Sequence, residues 1–335
     1  MILILTEEFD PHADRVTAIL HARGIDVVRF NPAAFPSRAI LSVAYDEHGL
    51  AAATLDTDRA TIDLTELTAI WYRRPQPPAP DADVPDPTTR GYLAEECRVV
   101  LNDIWHALAC PVVPALPGVL HRAELRAAQL AGAARLGFEL PPTLLTTSPR
   151  DFLVFYREHG GNVISKLPSN TLLRAYRSTF AGHTRRVSPR EVVHAQALRR
   201  CPIILQARVP SGLEVRVTVV GTAVFPAEIQ SQPLPRTSRH RPAYDHDDRA
   251  YRVHQLPEDV AERCRALVAE LGLRFAAIEL LLTSDGHYVL LEINPNGDFL
   301  SIEVATGLPI SEAICDLLLR PVERRGHPLA PAVPA

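Results

Sequence analysis

Apolar residues recur along the chain at two spacings, and these spacings predict an alternation of strands and helices. An apolar run at residues 2–6 predicts a first strand, helical spacing over residues 10–23 predicts a helix closed by Gly24, and residues 25–30 predict a second strand. A strand–helix–strand beginning is typical of a parallel sheet. The pattern therefore predicts an α/β fold at the start of the chain.

The same reasoning places elements along the rest of the chain. Residues 123–136 and 151–159 have helical spacing, and a short strand then ends at Lys166. β-branched runs at residues 203–209 and 215–220 predict strands. The remaining predicted elements are strands 50–55, 61–64 and 69–72, helix 88–108, a proline-punctuated linker at 111–118, strand 224–229, and helices 258–271 and 310–319.

A hairpin at residues 275–294 is the sharpest local feature. Asp285-Gly286 is a favoured two-residue loop, and this loop places Glu279 directly opposite Glu292. Asn294 lies two positions beyond Glu292 and therefore on the same face. Facing carboxylates repel each other unless a positive charge lies close to both.

These three side chains predict a metal site. Two carboxylates and an amide oxygen suit a hard cation, and Mg²⁺ prefers such a set completed by water and phosphate oxygens. The residues alone leave two alternatives open. The hairpin can instead be exposed with two solvated acids, and a slip of one residue would move the pair to opposite faces.

Composition and charge exclude several classes of protein. Of 335 residues, 47% are hydrophobic and 22% charged, which indicates a folded chain, and the formal net charge of −4 argues against a nucleic-acid partner. No apolar run approaches the roughly 20 residues that span a bilayer, so we expect no membrane partner. The N-terminus lacks a basic leader, and the five cysteines are odd in number and widely spaced. We therefore expect a cytoplasmic protein.

The chain contains a single lysine among its 35 basic residues. The other 34 are arginines, as expected where lysine has drifted to arginine at most positions. A site that needs a compact ammonium would keep its lysine, because the guanidinium is a broad planar fork. Lys166 is therefore a candidate phosphate ligand, although chance survival is the alternative.

Several motifs resemble the ATP-grasp fold, in the same order, over residues 120–320. Ile-Ser-Lys at 164–166 resembles its phosphate-binding strand, and Leu-Glu-Ile-Asn-Pro-Asn-Gly at 291–297 resembles its metal-binding end. Leu-Gln at 205–206, followed by Glu214 and Arg216, resembles the hinge and the next strand. Two more stretches, Trp-Tyr-Arg-Arg-Pro at 71–75 and Arg126 with Gln129, narrow the resemblance. They resemble the ATP-grasp ligases that mature ribosomal peptides, the graspetide or microviridin-type synthetases.

The resemblance implies the organisation of the chain, which is an ATP-grasp fold with an N-terminal pre-ATP-grasp α/β domain. The implied units are the pre-ATP-grasp domain at 1–115, a central subdomain with a lid at 116–190, a C-terminal subdomain with the metal site at 191–322, and a loose tail at 323–335. Related enzymes are often dimers, so a homodimer is compatible with the resemblance.

The resemblance also implies roles for individual residues. Arg216 would stabilise an acyl phosphate, Lys166 would assist catalysis as well as bind phosphate, and Arg249 is a candidate in a charged loop. The implied magnesium ligands are Glu279, Glu292 and Asn294. The implied ATP ligands are Arg126, Lys166, Gln206 with the following Ala207, Arg208 and Val209, and Glu214.

Three positions depart from the family pattern. Arg126 stands where the family usually has lysine, Ala207 where relatives often have an acid, and Glu279 where aspartate is more frequent. A lid should exclude water from an acyl phosphate. Candidate lids are residues 168–183 and 233–252. Arg73 and Arg74 end a predicted strand, where they either face the active cleft or form a salt bridge between domains.

The function implied by the resemblance is an ATP- and Mg²⁺-dependent ligase. Such an enzyme activates Asp or Glu side chains of a precursor peptide, which has a leader and an acidic core, as acyl phosphates. Ser, Thr or Lys side chains of the same peptide then form macrocyclic esters or amides, and ATP becomes ADP and phosphate. Two alternatives are a ligase of free amino acids and a nucleotide-binding regulatory protein that has lost catalysis.

Overall fold

The computed structural model describes residues 1–81, 83–166, 184–209, 212–231 and 249–320. Several sequence predictions lie outside these ranges, namely the lid candidate at 168–183, residues 233–248 of the second lid candidate, and the tail at 323–335.

The described chain contains sixteen strands and nine α-helices. The strands are β1 (Ile2–Thr6), β2 (Val27–Phe30), β3 (Ala39–Asp46), β4 (Gly49–Thr57), β5 (Thr61–Asp63), β6 (Ala69–Arg74), β7 (Val112–Val113), β8 (Thr143–Thr146), β9 (Val163–Lys166), β10 (Thr184–Arg186), β11 (Ile203–Ala207), β12 (Leu213–Val220), β13 (Ala223–Ser231), β14 (Arg249–Val253), β15 (Phe275–Leu282) and β16 (Tyr288–Asn294). The helices are α1 (Pro11–Ala22), α2 (Pro87–Ala107), α3 (Pro117–Ala123), α4 (Arg126–Arg135), α5 (Pro149–Glu158), α6 (Pro189–Val193), α7 (Glu258–Glu270), α8 (Leu300–Thr306) and α9 (Ile310–Leu319). None of these helices is long and apolar enough to cross a membrane.

The N-terminal part contains the parallel sheet that its first three elements predict. Its strand order is β2-β1-β6-β7, and all three pairings are parallel. The prediction of a linker at residues 111–118 was wrong in part, because Val112 and Val113 pair with Ile70 and Trp71 as the fourth strand. A separate antiparallel sheet, β3-β4-β5, includes strand β3, which the sequence analysis did not predict.

Two antiparallel sheets form the rest of the described chain. Strands β10-β9-β11-β8 make a four-stranded sheet, on which helix α5 packs through Phe152 and Phe155. Strands β14-β13-β12-β15-β16 make a five-stranded sheet. Parallel and antiparallel sheets with packed helices confirm the predicted mixed α/β class.

The predicted helix at residues 123–136 is helix α4, and the separate helix α3, which the sequence analysis did not predict, comes directly before it. Helix α3 ends at Ala123 and helix α4 begins at Arg126. The side chain of Gln129 explains the break, because its Nε2 donates a hydrogen bond to the Ala123 carbonyl at 2.7 Å. This bond satisfies an acceptor at the end of α3. The break places Arg126 at the start of a helix that faces the five-stranded sheet.

The two faces of the five-stranded sheet are covered differently. One face carries Val215, Val217 and Ile278, which pack in an apolar core with residues of helix α7. On the opposite face, Val220 and Phe275 pack against helix α9 at one end of the strands. Arg216 and Glu279 belong to this second face by strand alternation, toward its other end. The sheet therefore buries one end of this face and leaves charged residues at the other.

The N-terminal parallel sheet shares the core that covers Val220 and Phe275. Ile4 and Trp71 of that sheet lie in the same buried cluster as Phe299 and Ile314. Helices α1 and α9 also pack against each other across this boundary. This shared core fixes the carboxyl ends of β1 and β6 beside the segment that follows β16.

That segment approaches β15 closely at Gly297. A Cβ added to Gly297 would lie 2.3 Å from the Cβ of Ala277, which is buried in β15. We expect Gly297→Ala to destabilise the protein by about 1–3 kcal/mol through overpacking. The measurement is thermal denaturation followed by circular dichroism.

Gly91→Ala is the matched control for this prediction. Gly91 lies in helix α2, and a Cβ there meets no atom within 4 Å. Alanine should stabilise that helix by about 0.5–1 kcal/mol. An unchanged melting temperature for Gly297→Ala would contradict the close approach.

Candidate active site

The hairpin brings the two predicted carboxylates together. Glu279 pairs directly with Glu292 in the register of β15 and β16, as predicted, and Asn294 pairs with Ala277. The predicted two-residue loop was wrong. Thr283 N–H donates to the His287 carbonyl at 2.9 Å, so the loop has three residues and ends at Gly286 with φ 88°.

A bulge compensates for the longer loop. The register shifts between Glu279 and Leu280, so that Leu280 pairs with Leu290 while Glu279 still pairs with Glu292. At the bulge, strict alternation of buried and exposed residues is lost, since Leu290 is buried and Leu291 is only half-buried.

A row of charged residues crosses three strands of the sheet. Arg216 on β12 pairs with Glu279 on β15, which pairs with Glu292 on β16. The Arg216 guanidinium forms an ion pair with Glu279. Arg126 approaches from helix α4, and its Nη2 lies 3.0 Å from Glu292 Oε1. Each carboxylate therefore has an arginine partner, which offsets the repulsion between them.

Lys166, the last residue of β9, lies close to the charged residues of this row. The residue is buried, and its Nζ donates a hydrogen bond to the Leu291 carbonyl at 3.2 Å. Burial lowers the pKa of the Lys166 ammonium, while the carboxylates of Glu292 and Glu279 partly oppose this change. The single lysine of the chain thus lies beside the two carboxylates among the three predicted metal ligands.

Gln129 links helix α4 to the hairpin and received no role from its motif alone. Its Nε2 donates to the Ile293 carbonyl at 3.0 Å, and its Oε1 accepts from Arg126 at 3.2 Å. The residue is buried. A buried amide with each polar atom bonded fixes both Arg126 and the strand that carries Glu292.

The donor set fits a hard divalent cation and phosphate. The two carboxylates and the Asn294 amide oxygen are oxygen ligands of the kind that Mg²⁺ prefers. Among the described residues, Arg216 Nε is buried without a hydrogen-bond partner, which leaves one donor of that guanidinium for an anion. The site thus combines cation ligands with a cationic surround.

The predicted adenine-binding residues lie on or just beyond strand β11, one strand from Lys166. The Gln206 side chain is buried and donates to Thr143 Oγ1 at 3.1 Å. The N–H groups of Ala207 and Arg208 bond to the Pro142 and Asn162 carbonyls, both at 2.8 Å, and Val209 follows the strand. Their contact with a nucleotide stays a prediction.

Two further predicted residues lie away from the charged row. Glu214 is exposed on β12, two residues before Arg216. Arg249 begins strand β14, at the opposite edge of the sheet from β16, and its backbone pairs with Ser231. The side chain of Arg249 lies outside the described part of the chain.

Arg73 and Arg74 do not face the charged row. Both contact Asp298, at 3.0 and 3.1 Å, in the segment that follows Asn294. Of the two alternatives left open by the sequence, the salt bridge between domains is therefore confirmed. Asp298 was missed, although its position four residues after Asn294 in a Pro-Asn-Gly-Asp segment is a usable signal.

Comparison with known proteins gives matches at two levels. Residues 1–118 match the family model described as the MvdD pre-ATP grasp domain. No curated protein matches the sequence. Several solved structures, in contrast, are similar over nearly the whole chain.

Three of these structures illustrate the similarity. The macrocyclase MdnC from Microcystis aeruginosa MRC, bound with precursor peptide MdnA, shares 25% identity at a TM-score of 0.84, covering 95% of this chain and 99% of that chain. Macrocyclase MdnB from the same organism shares 28% sequence identity at a TM-score of 0.79, and the match covers 95% of this chain and 98% of MdnB. The third structure is a RiPP-associated ATP-grasp ligase from Chryseobacterium gregarium in complex with ADP and a leader and core peptide. It shares 24% sequence identity at a TM-score of 0.81, and the match covers 97% of this chain and 98% of that chain.

These matches agree with the arrangement of the fold. The family model ends within helix α3, so it covers the parallel sheet and the small antiparallel sheet beside it. The solved structures cover the remaining two sheets as well. The chain has an ATP-grasp fold, its first 118 residues match the MvdD pre-ATP grasp domain, and the resemblance to RiPP peptide ligases predicted from its motifs is confirmed.

Proposed function

We propose that the protein is an ATP- and Mg²⁺-dependent ligase that forms macrocyclic ester or amide links in a ribosomal precursor peptide. The observation that carries this proposal is the row Arg216–Glu279–Glu292, with Arg126 and Lys166 beside it. Three cationic groups and a pair of hard-cation ligands at one place are suited to a nucleotide triphosphate.

The chemistry requires positioning and charge neutralisation rather than a covalent enzyme nucleophile. An Asp or Glu side chain of the peptide attacks the terminal phosphate of ATP, and ADP leaves. Lys166 and Arg126 would hold the phosphates, and Arg216 would stabilise the acyl phosphate that results. A bound magnesium ion, held by Glu279, Glu292 and Asn294, would neutralise charge on the phosphate oxygens.

The second half of the reaction joins two side chains of the same peptide. A Ser or Thr hydroxyl, or a Lys amine, attacks the acyl carbon, the C–O bond to phosphate breaks, and inorganic phosphate leaves. The attacking group loses a proton as the ester or amide forms. Two of the three similar structures described above contain a precursor, leader or core peptide. This favours a peptide over free amino acids as the substrate.

The direct test uses a precursor peptide, sought as a short acidic reading frame beside the gene of this protein. Incubation with the protein, ATP and Mg²⁺ should yield ADP and peptide products that are lighter by one water per link, measured by mass spectrometry. Single amino acids with ATP form the comparison. Release of ADP with amino acids alone would favour the free amino-acid ligase, and intact peptide beside intact ATP would refute the proposal.

Lys166→Arg tests whether the site needs an ammonium. The substitution keeps the charge, but the planar fork is too broad for the buried position beneath the Leu291 carbonyl. We expect turnover to fall by at least about a hundredfold, comparable to the loss of a key charge-stabilising donor. The control is Arg150→Lys, at the start of helix α5, which should retain activity.

The single lysine also gives a spectroscopic test of nucleotide binding. Protein labelled with ¹³C,¹⁵N-lysine has one lysine side-chain signal, from Lys166. Addition of ADP with Mg²⁺ should shift that signal, because phosphate oxygens would approach the ammonium. A signal that stays in place while ADP is bound would show that Lys166 is not a phosphate ligand.

Glu292→Gln tests the metal ligands. The amide keeps the shape but removes one of two negative charges that would hold Mg²⁺. Turnover should fall by about a hundredfold or more and recover in part at high Mg²⁺ concentration. Glu262→Gln is the control, since Glu262 is exposed on helix α7 and pairs with Arg265. An equal Mg²⁺ dependence in both variants would remove Glu292 from the metal site.

A further inference from the structure

A buried arginine of the N-terminal domain contacts the segment that follows the predicted metal strand. Arg73 ends strand β6 and is 1% exposed. Its Nη1 donates to the carbonyls of Asn296 at 2.7 Å and Gly297 at 3.1 Å, and its Nη2 donates to Asp298 at 3.0 Å. One guanidinium therefore binds three consecutive residues across the domain boundary.

The segment bound by Arg73 contacts the side chain of Asn294. The Asn296 N–H donates to Asn294 Oδ1 at 3.0 Å, while the Asn296 carbonyl accepts from Arg73. Gly297 packs against Ala277, the residue that pairs with Asn294 across the hairpin. The guanidinium is thus two hydrogen bonds away from the amide oxygen that is the third predicted metal ligand.

The surroundings of Arg73 hold it in one orientation. Its guanidinium lies 5.8 Å from the ring centroid of the buried Phe299, and its Nε is 3.6 Å from Asp10. Burial raises the pKa of Asp298, but the hydrogen bond from His12 and the charges of Arg74 and Arg73 outweigh this and hold that pKa well below its usual range. Asp298 therefore stays ionised as a partner of Arg73.

We propose that Arg73 is a positioning residue for the metal site, acting from the N-terminal domain through the 296–298 backbone to orient Asn294 Oδ1. The inference rests on the proposed function, because it concerns the same magnesium ligands. Arg73 touches neither the metal ligands nor the reacting groups. Its effect should appear in the Mg²⁺ dependence of nucleotide binding rather than only in stability.

The planar guanidinium group of arginine is required to bind residues 296–298 in this way. Two carbonyls and a carboxylate are bound by two nitrogens of one rigid group, and a lysine ammonium cannot reach all three acceptors in that geometry. Arg73→Lys keeps the positive charge beside Asp10 and Asp298 while it loses the contacts with the backbone. The substitution therefore separates charge from orientation.

The experiment measures ADP binding by calorimetry over a series of Mg²⁺ concentrations. For Arg73→Lys, the half-saturating Mg²⁺ concentration should rise by about tenfold, the lower end of the effect of losing a direct partner of a metal ligand, because Arg73 acts through Asn296. ADP binding in EDTA should be unchanged. Arg74→Lys, which loses a single 3.2 Å bond to the Asn296 carbonyl, should shift the same quantity by a smaller factor.

His12→Asn is the matched control at the same interface. His12 Nε2 lies 3.0 Å from Asp298, and its ring packs on Phe299, but it has no hydrogen bond to the 296–297 carbonyls in the described structure. This variant should lower the melting temperature and leave the Mg²⁺ dependence of ADP binding unchanged. A purely structural role for Arg73 predicts the same behaviour for both variants.

The outcomes separate this inference from the proposed function. If the unaltered protein binds ADP with Mg²⁺ and both arginine variants keep its Mg²⁺ dependence, the positioning role is refuted while the proposed function stands. If Arg73→Lys does not fold, Arg73→Gln takes its place in the same titration, and an unchanged Mg²⁺ dependence in that variant refutes the role. If the unaltered protein does not bind ADP in the presence of Mg²⁺, the proposed function itself fails.

Discussion

The structure of the site depends on the repulsion between two carboxylates held opposite each other on adjacent strands. Facing positions of an antiparallel pair have Cβ atoms about 4.5–5.5 Å apart, and like charges there destabilise the sheet. Glu279 and Glu292 occupy such positions. Arg216 comes from the neighbouring strand and Arg126 from helix α4 to compensate them. Both arginines therefore lie where they offset the repulsion between the two carboxylates.

Two sheets contribute charged groups to one site, and the N-terminal domain contacts that site from another side. The five-stranded sheet supplies the carboxylates and Arg216, and the four-stranded sheet supplies Lys166. The described residues of the N-terminal domain supply no group to the charged row, but Arg73 and Arg74 bind the backbone after Asn294. A core shared between the two domains keeps that contact in place. The N-terminal domain therefore supports the site through backbone geometry.

The sequence predicted the elements whose signal is local. The β–α–β beginning, the register of Glu279 with Glu292 and the bounds of helix α9 were all readable from spacing. The length of the turn could not be predicted from spacing. The three-residue loop and the bulge shift the strand register by one residue in opposite directions, and either alone would have moved Glu279 away from Glu292. The break between α3 and α4 depends on a tertiary hydrogen bond from Gln129, which helical spacing does not encode.

The contacts around the charged row also divide into those that the sequence could predict and those that it could not. Ligand chemistry and motif order identified Lys166, Arg126 and Arg216 as candidates, and the structure places all three beside the carboxylates. The sequence allowed an interdomain salt bridge for Arg73 but could not predict its hydrogen-bond partners, which lie more than 220 residues away in the chain and are mostly backbone carbonyls. Carbonyl acceptors are present at every residue, so no sequence pattern marks the ones that are used.

The ion pairs of the carboxylates also bear on how ligands enter under the proposed function. A divalent cation that arrives alone competes with two guanidinium groups for the same oxygens. A cation already chelated by a triphosphate brings phosphate oxygens with it. Arg126 and Arg216 can form new ion pairs with these oxygens when their carboxylate partners bind the cation. The arginines thus favour an order of addition in which metal and nucleotide enter as one chelate, and they disfavour loading by the free ion.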